Sequence, residues 1–174
     1  MIKNLPKALF IFFVFVNFLK ASEYEITILA TNTANFGGIG EWSFSALLES
    51  ENETILFDTG FDENTVLHNA NLLKKDLTKV EKVILSHFHG DHTGGLIKLR
   101  KTYMKKHPKA FSRVFVAEGF FDQRYDKDGN LRGFIGGFNE VSKFKKKAQE
   151  LGIEFIILSD SYEIADNLVV SGPV

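Results

Sequence analysis

Apolar and polar positions change period several times along the chain, and each change marks an element. YEITILA, Tyr24 to Ala30, is dense in β-branched and aromatic residues and predicts a strand. A loop rich in glycine, asparagine and threonine follows, TNTANFGGIGEW. SFSALLES and TILFDTG predict two more strands, joined into a hairpin by the polar turn Glu51 to Glu53. Over ENTVLHNANLL, Val66, Leu67, Ala70 and Leu73 fall at helical spacing, with Asp62 as the expected cap.

KVILSH predicts a short buried strand that runs straight into a loop holding His87, His89 and His92. Gly94 and Gly95 open a helix through LIKLRKTYMKK, which stops before Pro108. SRVFVAEG predicts another strand, and Asp122 to Gly137 reads as an irregular, glycine-rich loop able to reach over a cleft. NEVSKFKKKAQEL is amphipathic and ends at Gly152, a helix stop. EFIIL and NLVVSG are the last two strands. Hairpin strands followed by alternating helix and strand imply an α/β arrangement, with helices outside a sheet. No repeat, low-complexity tract or linker interrupts it.

Length and charge narrow the class. A chain of 174 residues is long enough for one domain with a sizeable core. Nothing in its net charge of −1 suggests nucleic acid or an acidic membrane as partner, and a small-molecule substrate is the expectation. The lysine runs, Lys98 to Lys109 and Lys143 to Lys147, are interleaved with apolar residues at helical spacing and read as solvated helix faces. The absence of cysteine excludes disulfides and thiolate metal sites.

The N-terminus addresses compartment. Lys3 and Lys7 precede an apolar run from Ala8 to Leu19, broken only at Asn17. A spanning helix needs about 20 apolar residues, so the run is too short to cross a membrane. Its length and flanks are those of a secretory signal, with Ala21 suited to the position before the cut. The expectation is a signal peptide over residues 1–21, a folded domain over 22–174, and a periplasmic or secreted product free of the membrane.

SHFHGDHTGG, Ser86 to Gly95, concentrates three of the five histidines with one aspartate. Alternate residues of an extended chain share a face, so His87 and His89 can converge from a strand end. Gly90 permits a sharp turn, after which Asp91 and His92 enter the same cleft. Three neutral nitrogens and a carboxylate suit zinc, iron or manganese, with zinc the usual choice. A catalytic zinc keeps a position open for water and lowers its pKa to about 7. Asp58 reads equally as a turn cap before Gly60 or as a support beneath the site. His68 lies mid-helix and His107 at a basic helix end, so neither is expected to be a ligand. Phe36, Trp42, Phe120, Phe121 and Phe134 are candidates either for an apolar cleft or for the core.

HFHGDH matches the His-x-His-x-Asp-His motif of the metallo-β-lactamase superfamily. GIGEWSFSALLE, ILFDTG, VILSHFHGDHTGGL and VVSGPV follow in order at suitable spacing. Together they resemble the branch that includes the dihydropterin-aminobenzene phosphate synthases, from about Tyr24 to Val174. The resemblance implies an αββα sandwich with a dinuclear centre at one edge. By its pattern, His87 and His89 would bind one metal, Asp91 and His92 the other, and Asp91 would also orient or deprotonate the water between them. Asp58 would be the acid beneath the site. The implied activity is hydrolysis of an ester, lactone, amide or phosphodiester.

The chain also departs from the pattern. The family sandwich takes further ligands from its second half, and no histidine follows His107 here. Asp160, in ILSDSY, ends a strand without a neighbouring histidine and reads as a turn residue. The sequence is therefore expected to represent the N-terminal half to two-thirds of the sandwich, as a fragment or a truncated product. Weak zinc binding and near-background hydrolysis are expected of it. A non-catalytic metal-binding module is the alternative to an enzyme, and a structural protein with an incidental histidine loop is the third reading.

Overall fold

The computed structural model describes residues 24–132 and 135–173. The expected signal peptide and Phe134 lie outside the described residues. Among the described residues no helix is long and apolar enough to cross a membrane.

One sheet organises the molecule. Its strands are β1 (Glu25–Ala30), β2 (Ser45–Glu49), β3 (Thr54–Phe57), β4 (Lys82–Ile84), β5 (Arg113–Ala117) and, later in the chain, β8 (Glu154–Leu158), hydrogen-bonded in that order. β1, β2 and β3 pair antiparallel, β1 and β2 across the long loop 31–44 and β2 and β3 through the short turn 50–53, while β3, β4, β5 and β8 run parallel. Parallel neighbours need crossovers, and helices supply them: α1 (Thr65–Leu72) before β4, α3 (Leu96–Tyr103) before β5 and α4 (Val141–Glu150) before β8.

Alternation along the strands sends one set of side chains towards these helices. Leu29, Leu47, Leu56, Val83 and Val114 pack there with Val66 and Ala70 of α1, Leu96 and Leu99 of α3, and Phe144 and Ala148 of α4. Arg100 lies buried in this layer, donating to the carbonyls of Leu151, Pro108 and Ala110 at 2.9, 2.7 and 2.6 Å. The opposite set, Ile55, Ile84, Phe115 and Leu158, packs on Ile164 from a hairpin of β9 (Tyr162–Ala165) and β10 (Leu168–Val170). On that same face, Ile26 and Ile28 of β1 sit opposite Leu48 and Ala46 and remain exposed.

Several expectations need correction. The strand expected to carry His87 stops at Ile84, and a one-turn helix, α2 (Gly90–Thr93), follows the loop. α1 is not capped by Asp62: its N-cap is Asn64, and Asp62 closes the preceding turn by accepting from Asn64 N at 2.8 Å. Glu41 takes over at that helix end, accepting from Phe61 N, Asp62 N and Thr65 Oγ1. The segment expected to be an irregular loop contains a small hairpin of β6 (Arg124–Tyr125) and β7 (Leu131–Arg132). β9 was not foreseen. Phe120 is buried and Phe121 packs edge-on against Phe155, so both belong to the core, whereas Phe36 and Trp42 stand exposed.

Candidate metal centre

Two parallel strands bring the site together. β3 and β4 pair Phe57 with Ile84, so the residues just beyond them, Asp58 and Leu85–Ser86, leave the sheet side by side. In open α/β sheets, crevices form outside the carboxyl ends of strands, and this edge is one. Asp58 adopts φ 54°, a left-handed conformation that aspartate tolerates better than most residues. Its backbone N–H donates to Ile84 O at 2.8 Å, and its carboxylate turns under the histidine loop.

That carboxylate is 1% exposed and fully engaged. Oδ1 accepts from Ser86 N at 2.7 Å, and Oδ2 lies 2.7 Å from both Ser86 Oγ and His92 Nδ1. An ionised carboxylate can only accept, so the proton on His92 belongs to Nδ1 and its Nε2 presents a lone pair. Nε2 lies 3.4 Å from Asp91 Oδ2. Ser86 gives its one hydrogen to Asp58, and its oxygen accepts from His87 Nδ1 at 3.0 Å. His87 Nε2 is thereby left with a lone pair, which faces His89 Nδ1. Of the two roles expected for Asp58, these bonds match the support beneath the loop: its carboxylate meets Ser86 and His92, while Gly60 N donates to Phe44 O and Phe61 N to Glu41.

The ring nitrogens converge. His87 Nε2 and His89 Nδ1 are 3.0 Å apart, and the His87 and His92 ring centroids are 4.2 Å apart. One ligand atom from each of His87, Asp91 and His92 lies within 4.8 Å of the others. Two nitrogens on one tetrahedral zinc lie about 3.3 Å apart, given Zn–N bonds of about 2.0–2.1 Å. The donor set of imidazole nitrogens and carboxylate oxygen therefore fits a divalent transition metal. His87, Asp91 and His92 form the cluster able to hold it, and His89 stands beside His87.

Burial and neighbouring charge act differently on the two inner histidines. Desolvation, reinforced by His92 and His89, pushes the His87 pKa down and favours the neutral ligand form. The hydrogen bond to Asp58 holds the His92 pKa above the ordinary value, against desolvation.

Tight packing fixes the loop from behind. Thr59 N and Oγ1 donate to His92 O at 2.7 and 3.0 Å. A Cβ on Gly94 would lie 1.8 Å from Phe61 O, and one on Gly95 would lie 2.3 Å from Thr59 O. Thr93, wholly buried, donates to His89 O at 2.9 Å and accepts from Gly136 N at 2.7 Å.

The structure thus brings together the four loop residues and Asp58. It does so by a loop and a helical turn, not by strand alternation, because His87 is beyond β4 and His89 is the N-cap of α2. His68 Nε2 lies 2.7 Å from Gly37 O in the 31–41 loop, away from the site. His107 closes the end of α3, donating its N–H to Tyr103 O, and Asp160 sits in an exposed bend. Ser86 and Thr93 escaped the sequence reading. Their hydroxyls act on groups distant in sequence, and only the motif's fixed neighbours could have pointed to them.

The profile described as the metallo-beta-lactamase superfamily matches residues 43–158, most of the chain, with the histidine loop inside the match. The chain belongs to the metallo-β-lactamase superfamily. Within the superfamily it is 33% identical over 171 residues to 7,8-dihydropterin-6-methyl-4-(beta-D-ribofuranosyl)-aminobenzene-5'-phosphate synthase of Methanocaldococcus jannaschii, covering 91% of this chain and 53% of that protein. An uncharacterised protein of the same organism is 31% identical over 149 residues, covering 86% of this chain and 53% of its own length. The chain thus spans about half the length of these curated relatives. A solved metal-dependent hydrolase of the β-lactamase superfamily superposes with a TM-score of 0.61 at 27% identity, over 87% of this chain and 48% of that one.

Proposed function

We propose that this chain contributes the metal-binding loop of an exported, zinc-dependent hydrolase acting on an ester, lactone, amide or phosphodiester of a small molecule. The observation that carries the reading is the Asp58–His92 pair, which directs a free Nε2 of His92 towards Asp91. Ligating histidines generally donate their other ring N–H to such a partner.

When bound, a divalent cation supplies Lewis acidity and a water acidic enough to react at neutral pH. The chain's own residues do the rest. His87 and His92 are held as Nε2 donors by Ser86 and Asp58, and His89 adds Nδ1. Asp91 would orient or deprotonate the attacking water, and Asp58 would stay out of that step because its oxygens are already occupied.

Two protein ligands per ion are fewer than the three that catalytic zinc usually has. A single cluster of this kind exists among the described residues. That supports a second reading, a metal-binding module without turnover. Zinc titration by calorimetry, followed by assays with p-nitrophenyl acetate and bis(p-nitrophenyl) phosphate, tests both. Zinc uptake abolished by His92→Ala is expected. Uptake unchanged in that variant would sink the metal reading, and uptake without turnover would favour the module. Export rests on Lys3, Lys7 and the apolar run after them. An N-terminus near Ser22 in secreted or periplasmic protein is the result expected.

A further inference from the structure

α2 is a single turn, Gly90–Thr93, and a helix that short does not hold its own shape in water. Its place, and with it the direction of Asp91 and His92, is set by what grips it from outside. Thr59 N and Oγ1 hold His92 O, Gly94 N donates to Gly60 O at 2.9 Å, and Gly95 N donates to Thr59 O at 3.2 Å. Phe44 N donates to Asp91 O at 3.3 Å, and Phe44 O accepts from Gly60 N at 3.1 Å. The seat of α2 is therefore the turn 59–61, with Phe44 beside it.

One carboxylate fastens that seat. Glu41 Oε1 accepts from Phe61 N at 2.7 Å and from Ser43 Oγ at 2.6 Å. Oε2 accepts from Thr65 Oγ1 at 2.8 Å and from Asp62 N at 3.1 Å. A Cβ on Gly60 would lie 2.8 Å from Oε1, so the carboxylate sits directly against the turn. The stretch from Asp58 to Asp62 thus has an acid at each end: Asp58 beneath His92, and Glu41 on the last two N–H groups.

Helix capping alone does not account for this arrangement. The two backbone N–H groups lie in the turn before Asn64, the N-cap of α1, and the carboxylate reaches α1 itself only through the Thr65 hydroxyl. Bonds to an ionised carboxylate are stronger than those between neutral groups. Glutamine has the same shape but cannot replace it. With its oxygen on Phe61 N and Ser43 Oγ, its NH₂ group would face Asp62 N, another donor.

We propose that Glu41 is a positioning residue of the metal centre: by fixing the turn 59–61 it sets where α2 presents Asp91 and His92. This rests on the metal-centre reading above and extends it to a residue that acts only through the turn.

Two measurements on the 174-residue chain test it. Amide hydrogen exchange, read by NMR on EDTA-treated protein, needs no metal. Glu41→Gln should speed exchange at Thr59 N, Gly94 N and Gly95 N about tenfold or more, while β5 and β8 stay protected. Zinc affinity, read by calorimetry, should fall about tenfold, the low end of what supporting partners of metal ligands contribute. Ile164→Val is the structural control, because it loosens packing on the opposite face of the sheet. It should lower the urea midpoint and leave those three amides and the zinc affinity at wild-type values.

Unchanged exchange at the three amides in Glu41→Gln overturns the proposal, whether or not zinc binds. So does a zinc affinity that stays at the wild-type value, or that falls equally in both variants, which would make Glu41 a stability residue only. A wild type that binds no zinc counts against the metal-centre reading alone, and the exchange data still decide Glu41. If Glu41→Gln does not fold, Thr65→Val removes a single donor to Oε2. It should speed exchange at the same three amides by a smaller factor, and no change there overturns the proposal.

Discussion

Asp58 Oδ2 and His92 Nδ1 lie 2.7 Å apart although 34 residues separate them in sequence. The contact joins the end of one strand to the one-turn helix after the next strand, and it decides which nitrogen of His92 faces the cleft.

Asp58→Ala should therefore act on both stability and metal. It strands Ser86 N and leaves His92 free to change tautomer. Loss of about 1 kcal/mol is expected for the partly exposed donors left unpaired, read by urea unfolding. Metal affinity should fall about 10- to 100-fold, as for other partners of ligating histidines. Unchanged zinc affinity would show that Asp58 is a turn residue only.

In the metal-free protein the two inner histidines should titrate on opposite sides of the ordinary value of about 6.5. His92, raised by Asp58, contributes stability that is whole below that value and is lost as pH rises through its higher folded pKa. His87, lowered by desolvation, resists protonation in the fold, so its effect is a loss of stability as pH falls below the unfolded value. Imidazole C–H shifts followed by NMR should give a His92 midpoint above that of His87. Adding zinc should abolish both titrations and release protons. Coincident midpoints would contradict the network.

Thr93→Val keeps the side chain's shape but removes the link from Gly136 N to His89 O. Weaker zinc binding is expected, with recovery in Thr93→Ser. A variant that lowers the unfolding midpoint while leaving zinc affinity untouched would make Thr93 a packing residue.

Gly94→Ala should be more damaging than any exposed loop substitution. A Cβ 1.8 Å from Phe61 O cannot be accommodated without moving α2 and α3 off the Thr59–Phe61 turn. Overpacking of this kind costs about 1–3 kcal/mol or more. A thermal midpoint equal to wild type would refute the close approach.

Hydrophobic period and turn residues determined the strands from Tyr24 to Phe57, the helices over Leu96–Tyr103 and Val141–Glu150, and the α/β class, because each rests on neighbours a few residues apart. The His87, Asp91 and His92 cluster was legible for the same reason: its members lie within six positions. Other features depended on distant partners. β9 is a strand because Ile164 covers Ile55 and Phe115, and the β6–β7 hairpin is set against the loop by Arg124 on Phe88. His87 and His89 converge because Ser86 and Asp58 hold the loop and Thr93 ties back His89, not because a strand alternates. Only tertiary structure could decide these, since the parallel pairing of β3 with β4 is what delivers Asp58 to His92, and sequence period carries no record of which strand ends meet.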